Sequence, residues 1–94
     1  MSNPPLKLVY GKPFDRDVKR AKKSGKDMEK LFSVVEILSQ CKPLPPQRRD
    51  HKLTGNYRSW RECHIEPDWL LIYKVEGDEL SLARTGSHVD LFGW

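Results

Sequence analysis

The sequence predicts an α+β fold: two N-terminal helices packed on a twisted, mainly antiparallel sheet of four strands. Three observations predict it. Helical apolar spacing is confined to residues 14–41. Trp69-Leu-Leu-Ile-Tyr-Lys-Val75 is a nearly continuous apolar run, which suits a central strand covered on both faces. Only the short turns "EPD" and "EGDE" separate that run from the segments on either side, so its neighbours must be antiparallel.

In chain order, "LKLVY" (residues 6–10) alternates enough for a short strand. "GKPF" is a turn whose Pro13 suits the first turn of a helix. From Phe14 to about Ser24, Phe14, Val18 and Ala21 form a narrow apolar stripe, and Gly25 is a natural stop. Asp27 can cap a second helix with a broad stripe of Met28, Leu31, Phe32, Val34, Val35, Ile37, Leu38 and Cys41. Pro43 ends it, and "KPLPPQRRDH" reads as an extended connection without helix or strand period. Tyr57 to Ile65 alternates aromatic and polar residues as a strand. The central run follows, and then Glu79 to Thr85 alternates with Leu80, Leu82 and Arg84 on one face.

At 94 residues, the expectation is one domain spanning 1–94, with room for a single core. Nine aromatic residues argue against disorder, although 32% of the chain is charged. No apolar run reaches the length of a membrane span, and Met1-Ser-Asn-Pro-Pro5 lacks the pattern of a secretory signal. Cys41 and Cys63 are too few for a disulfide framework. We expect reduced thiols in a cytoplasmic protein. The net charge of +4 is split: residues 1–49 carry a balance of +7, residues 50–94 one of −3. A basic half suits a polyanion such as RNA, and equally a solvated helical face.

All three histidines lie in the acidic half. His64 and Asp68 flank the turn between two antiparallel strands, so they share one end of the sheet. The next strand but one ends near Thr85 at that same end, which brings His88 close to His64. His51, in the connection, joins them if the connection folds over. The residues alone leave three readings of this group: solvated or satisfied side chains, metal ligands, or an acid–base site. None of the tight H-x-x-H or C-x-x-C spacings favours metal. A histidine pair near neutrality can take and give a proton. Cleaving RNA through its own 2′-OH needs that pair and a cation on the phosphate, for which Arg84 is a candidate. Arg84 reads equally as a surface ion pair. Trp60, Trp69 and Phe92 are candidates to stack on RNA bases, with a core role as likely for the two tryptophans. Cys63, beside His64 on a strand, should point to the opposite face, into the core.

"KDMEKL", "PLPPQRRDHKLTGNYRSWRECHIEPDWLLIYK" and "RTGSHVDLFG" resemble the YafQ-type branch of the RelE-like toxins of bacterial type II toxin–antitoxin modules. The shared pattern is D-H-x-L-x-G, then H-[IV]-x-P-D-W-[LI]-L-[IL]-Y, then R-x-G-[ST]-H, and the match is strongest from Asp27 to Gly93. The resemblance implies a RelE-like fold and an endoribonuclease that cuts mRNA in the A site of the ribosomal small subunit. It also implies no metal or other cofactor, and neutralisation by a cognate antitoxin. The positions that match the family's motifs are His51, His64, Asp68, Arg84 and His88 for catalysis, and Trp69 and Phe92 for RNA contact. The resemblance leaves the role of the neighbouring acid Glu62 open, and Trp94 and the N-terminal "SNPP" depart from the pattern.

The implied reaction is attack of the 2′-OH on phosphorus, leaving a 2′,3′-cyclic phosphate and a 5′-OH. One or two of His51, His64 and His88, with Asp68, move the protons, and His88 is the first choice of general acid. Arg84 stabilises the phosphorane, and Trp69 or Phe92 positions a base. The main alternative is a non-catalytic RNA- or ribosome-binding domain, a decayed toxin. A metal-dependent hydrolase and a DNA-binding repressor are further rivals, and no helix-turn-helix spacing supports the last. The antitoxin is expected to lay an acidic segment over the basic helices or the histidine edge.

Overall fold

The computed structural model describes residues 5–55 and 59–93. Strand β1 (Lys7–Tyr10) leads into helix α1 (Lys12–Lys23) and helix α2 (Met28–Ser39). A 3₁₀ turn (Pro46–Arg48) precedes β2 (His51–Lys52), β3 (Arg61–Glu66), β4 (Trp69–Glu76), β5 (Glu79–Gly86) and a short helix α3 (His88–Phe92). The strands form one mixed sheet in the order β1-β5-β4-β3-β2. All pairs are antiparallel except β1 with β5, which lie parallel.

The local signals act as their chemistry dictates. Pro13 lies in the first turn of α1, where its missing N–H costs nothing. Gly25 adopts φ +83 just past the helix, and the N–H groups of Gly25 and Lys26 close back on the Lys22 and Ala21 carbonyls. The Asp27 side chain accepts the Glu29 N–H and caps α2. One face of α2 (Leu31, Val34, Val35, Leu38) meets Phe14 and Ala21 of α1 and Cys63, Ile65, Trp69, Leu71, Tyr73, Leu80 and Leu82 of the sheet. Each fully buried aliphatic side chain there contributes roughly 1.5–3 kcal/mol.

Several expectations need correction. The sheet has five strands, because His51 and Lys52 leave the connection and pair with Glu62 and Arg61. A two-residue strand has no period to read. The expected strand start at Tyr57 falls outside the described residues, and β3 begins at Arg61. Cys41 is not part of the α2 stripe: the helix ends at Ser39, and Cys41 is exposed at φ 59. Arg84 does not share a face with Leu80 and Leu82. Tyr73 pairs with Leu82 but Ile72 with Arg84, so Ala83 is an extra residue that reverses the alternation and turns Thr85 inward. The tail folds as α3, closed by a capping box in which Ser87 and Asp90 bond each other's backbone N–H. The S-x-x-D spacing announces that box in the sequence.

Candidate active site

Alternation along β3 sends Cys63 and Ile65 into the helical core and turns Glu62 and His64 to the other face of the sheet. Cross-strand pairing then sets two rows on that face. His51, Glu62, Ile72 and Arg84 line up across four strands, with His64, Leu70 and Gly86 beside them. His88 follows Gly86 as the first residue of α3.

The Glu62 carboxylate lies between two imidazoles. Its Oε1 is 3.4 Å from His51 Nε2 and 3.5 Å from His64 Nε2, and the Glu62 side chain is only 8% exposed. The Nδ1 atoms of both rings face backbone carbonyls, Lys52 O at 3.1 Å and Pro67 O at 3.2 Å. A carbonyl can only accept, so Nδ1 carries the proton in each ring and Nε2 is the atom that changes protonation. The His51 strand is itself anchored by the preceding residue: Asp50 Oδ1 accepts from Tyr73 Oη at 2.7 Å and Arg61 Nε at 3.1 Å.

A second acid–imidazole pair faces the first. Asp68 Oδ1 accepts the His88 backbone N–H at 3.0 Å and meets His88 Nδ1 at 2.6 Å. These two bonds, the backbone one foremost, hold the Asp68 carboxyl below the usual carboxylate range. They also fix a proton on His88 Nδ1 and leave Nε2 to act. The His64 and His88 rings lie 6.1 Å apart, and Phe92, one turn further along α3, is 6.5 Å from His88 and half-buried. A cavity of about 370 Å³ opens beside His64, lined on its other side by Lys30, Gln47, Arg48 and Arg49. Arg49, in the left-handed region at φ 50, points an exposed cation toward this groove.

Two expected site residues sit elsewhere. Trp69 has no exposed surface, and its Nε1–H donates to Thr85 Oγ1 at 2.9 Å. A base cannot stack on a ring whose faces are closed. Arg84 lies on the histidine face, but two strands from Glu62, roughly 10 Å by the strand spacing. Its guanidinium is drawn to Asp17 of α1, with Nε to Oδ2 at 2.6 Å and Nη2 to Oδ1 at 3.2 Å. Asp17 itself, 3% exposed, also takes Arg20 and the Thr85 N–H, and so ties α1 to β5 beyond the end of β1. Burial pushes the Cys63 thiol up to about 12, which makes it an inert core group. Glu62 is the residue that sequence reasoning left open. The signal for it is its position two before His64 on the same strand face.

His51, Glu62 and His64 present two imidazole nitrogens and a carboxylate oxygen within 4.8 Å of one another. That donor set fits zinc or copper, and the carbonyls on both Nδ1 atoms are the usual outer partners of metal-bound imidazoles.

A sequence model of the family described as the bacterial toxin of a type II toxin–antitoxin system, YafQ, matches residues 6–93. The chain is 42% identical over 87 residues to the mRNA interferase toxin YafQ of Escherichia coli strain K12, covering 92% of this chain and 95% of that one. Its fold is similar to that of a copper-bound mutant toxin from Helicobacter pylori, with a TM-score of 0.89 and 45% identity over 93% of this chain and 99% of that one. It is also similar to a chain of the E. coli DinJ–YafQ toxin–antitoxin complex, with a TM-score of 0.88 and 41% identity over 96% of this chain and all of that one.

Proposed function

Since this chain belongs to the YafQ family of bacterial type II toxins, we propose that it is an endoribonuclease that cuts ribosome-bound mRNA without a metal ion. The observation that carries the reading is the facing pair His64 and His88, with rings 6.1 Å apart and each Nδ1 bonded to an acceptor. Each ring thus acts on a phosphodiester through Nε2, and at His64, whose Nε2 is 3.5 Å from Glu62 Oε1, the substrate takes the place of that carboxylate. A neutral Nε2 takes the 2′-OH proton as the oxygen attacks phosphorus, and a protonated Nε2 gives one to the departing 5′-oxygen. The products are a 2′,3′-cyclic phosphate and a 5′-OH.

His88 is the general acid in this scheme. Its fixed Nδ1–H and the Asp68 carboxylate orient the ring, and the end of β5 sets it beside the scissile bond. His64 is the base once the 2′-OH takes the place of Glu62 at its Nε2, and Glu62 and His51 lie beside it to receive the proton. Phe92, half-open beside His88, positions a base of the RNA. Arg84 holds α1 to β5 through Asp17. The relative in the DinJ–YafQ complex binds an antitoxin. This chain is likewise held inactive by a cognate antitoxin, and it acts in the cytoplasm, where its ribosomal substrate is.

The test is end-group analysis of mRNA cut on programmed ribosomes by the wild type, His64→Gln and His88→Gln, with and without EDTA. Loss of at least about a hundredfold in each variant is expected, with cleavage that survives chelation. Translation arrest by the double variant would support the non-catalytic reading instead. Cleavage abolished by EDTA and restored by one metal would support a metal-dependent hydrolase.

A second reading concerns the same residues. The His51–Glu62–His64 set fits a cation, and a toxin of similar fold is copper-bound. A cation there would occupy the Nε2 lone pairs that the reaction needs. Added Cu²⁺ or Zn²⁺ should therefore inhibit cleavage, and EDTA should restore it.

A further inference from the structure

RNA carries one charge per nucleotide, and a nuclease must hold the phosphates on either side of the bond it cuts. Most cations near the catalytic end of the sheet are already engaged. Arg84 and Arg20 bind Asp17, and Lys30 Nζ is 2.9 Å from Glu66 Oε2.

Lys26 differs from them. Its ammonium is 5.4 Å above the centre of the Trp69 ring, and among the described residues it has no carboxylate within ion-pair distance. Trp69 follows Asp68 directly and is held rigidly, since Nε1 donates to Thr85 Oγ1, which donates to the Leu70 carbonyl at 2.7 Å. The lysine backbone is held on both sides. Its N–H closes α1 on Ala21, and the next residue, Asp27, caps α2. Lys26 is half-buried, and its ammonium lies over the Trp69 ring at the start of β4. The Asp68, Asp90 and Glu66 carboxyls are held low chiefly by the His88 N–H, the Ser87 N–H and Lys30, and the Lys26 charge adds a small part to each.

The geometry points to a phosphate-binding subsite at Lys26, held over Trp69, that takes a phosphodiester of bound RNA flanking the cleaved bond. This rests on the nuclease reading above. It gives the buried Trp69 a role consistent with its burial. The ring is a platform for the cation, by cation–π attraction, and so acts on RNA through Lys26. A point charge on a phosphate carries no base information, so the subsite strengthens binding equally for all sequences.

The experiment measures Kd for ribosomes programmed with mRNA blocked by a 2′-O-methyl group at the cleavage point. The proteins are the wild type, Lys26→Met and Lys26→Arg, over a range of salt. Cleavage of unblocked mRNA by each is measured alongside. Lys26→Met should weaken binding about tenfold and lower the slope of log affinity against log salt by about one. Lys26→Arg should stay within about threefold of the wild type. Replacing the flanking linkage by an uncharged methylphosphonate should mimic Lys26→Met, and the two changes together should cost no more than either alone.

An unchanged salt slope in Lys26→Met overturns the subsite. So do additive losses with the methylphosphonate, which would assign the contact to ribosomal RNA. A wild type that binds but does not cleave overturns the nuclease reading, and this proposal with it. A wild type that cleaves while Lys26→Met binds as well as it does overturns this proposal alone. Equal thermal melts of the wild type, Lys26→Met and Lys26→Arg establish that the comparison is between folded chains.

Discussion

Replacing Asp17 by alanine tests the assignment of Arg84 to structure. The Asp17 carboxylate is 3% exposed and takes four donors: Arg84 Nε at 2.6 Å, Arg84 Nη2 at 3.2 Å, Arg20 Nη2 at 2.8 Å and Thr85 N at 3.1 Å. Its loss leaves the Thr85 N–H, on a residue with no exposed surface, without a partner, which costs about 1–3 kcal/mol. Breaking a fully buried ion pair costs about 3–5 kcal/mol. Here the two arginine side chains, 33% and 49% exposed, can regain water, so the ion-pair part falls below that range, to about 1–2 kcal/mol. The expected total for Asp17→Ala is about 3 kcal/mol, a large share of the 5–15 kcal/mol typical of such a domain. For a chain this size that lowers Tm by about 12 °C or more. Arg84→Ala should cost less, about 1–2 kcal/mol, because Arg20 and the Thr85 N–H still satisfy the carboxylate. The double variant should fall short of the sum by about 1 kcal/mol or more. Urea and thermal denaturation of the three free proteins, followed by circular dichroism, measure all of this. A loss below about 1 kcal/mol in Asp17→Ala, the level of a surface pair, would refute the reasoning, as would strict additivity.

Two further perturbations bear on the site's frame and on its acid. Thr85→Val preserves shape but strips the partner from the buried Trp69 N–H, so a loss of about 1–3 kcal/mol is expected in denaturant melts; a neutral result would mean that the indole finds another acceptor. The Asp68 carboxyl titrates below its ordinary value because the His88 N–H groups favour the charged form. Its contribution to stability is therefore full above the ordinary carboxylate range and lost as pH falls through the lowered value. The Tm gap between the wild type and Asp68→Ala should be flat above about pH 5 and should close below about pH 4. A gap that persists unchanged to about pH 3 would remove the Asp68–His88 contact from the account.

The parts legible in the sequence are those set by near neighbours along the chain. Gly25 and Asp27 mark a helix end and a helix start because φ > 0 and an N-cap oxygen are local requirements. The apolar run of β4 declares a strand covered on both faces. Strand direction alone brings His64 and His88 to one end of the sheet, because β3 and β5 both lie antiparallel to β4. The tertiary structure decided which charges meet. His51 reaches Glu62 only because a two-residue strand pairs at that register. One extra residue at Ala83 turns Arg84 away from the face its alternation implies, and long-range packing then gives it Asp17, 67 residues away in sequence. Trp69 looks like a stacking platform as a letter and is a buried, hydrogen-bonded pillar as a side chain. Periodicity reports which way a side chain points relative to its neighbours in the chain, while register, bulges and burial set its partners across the fold.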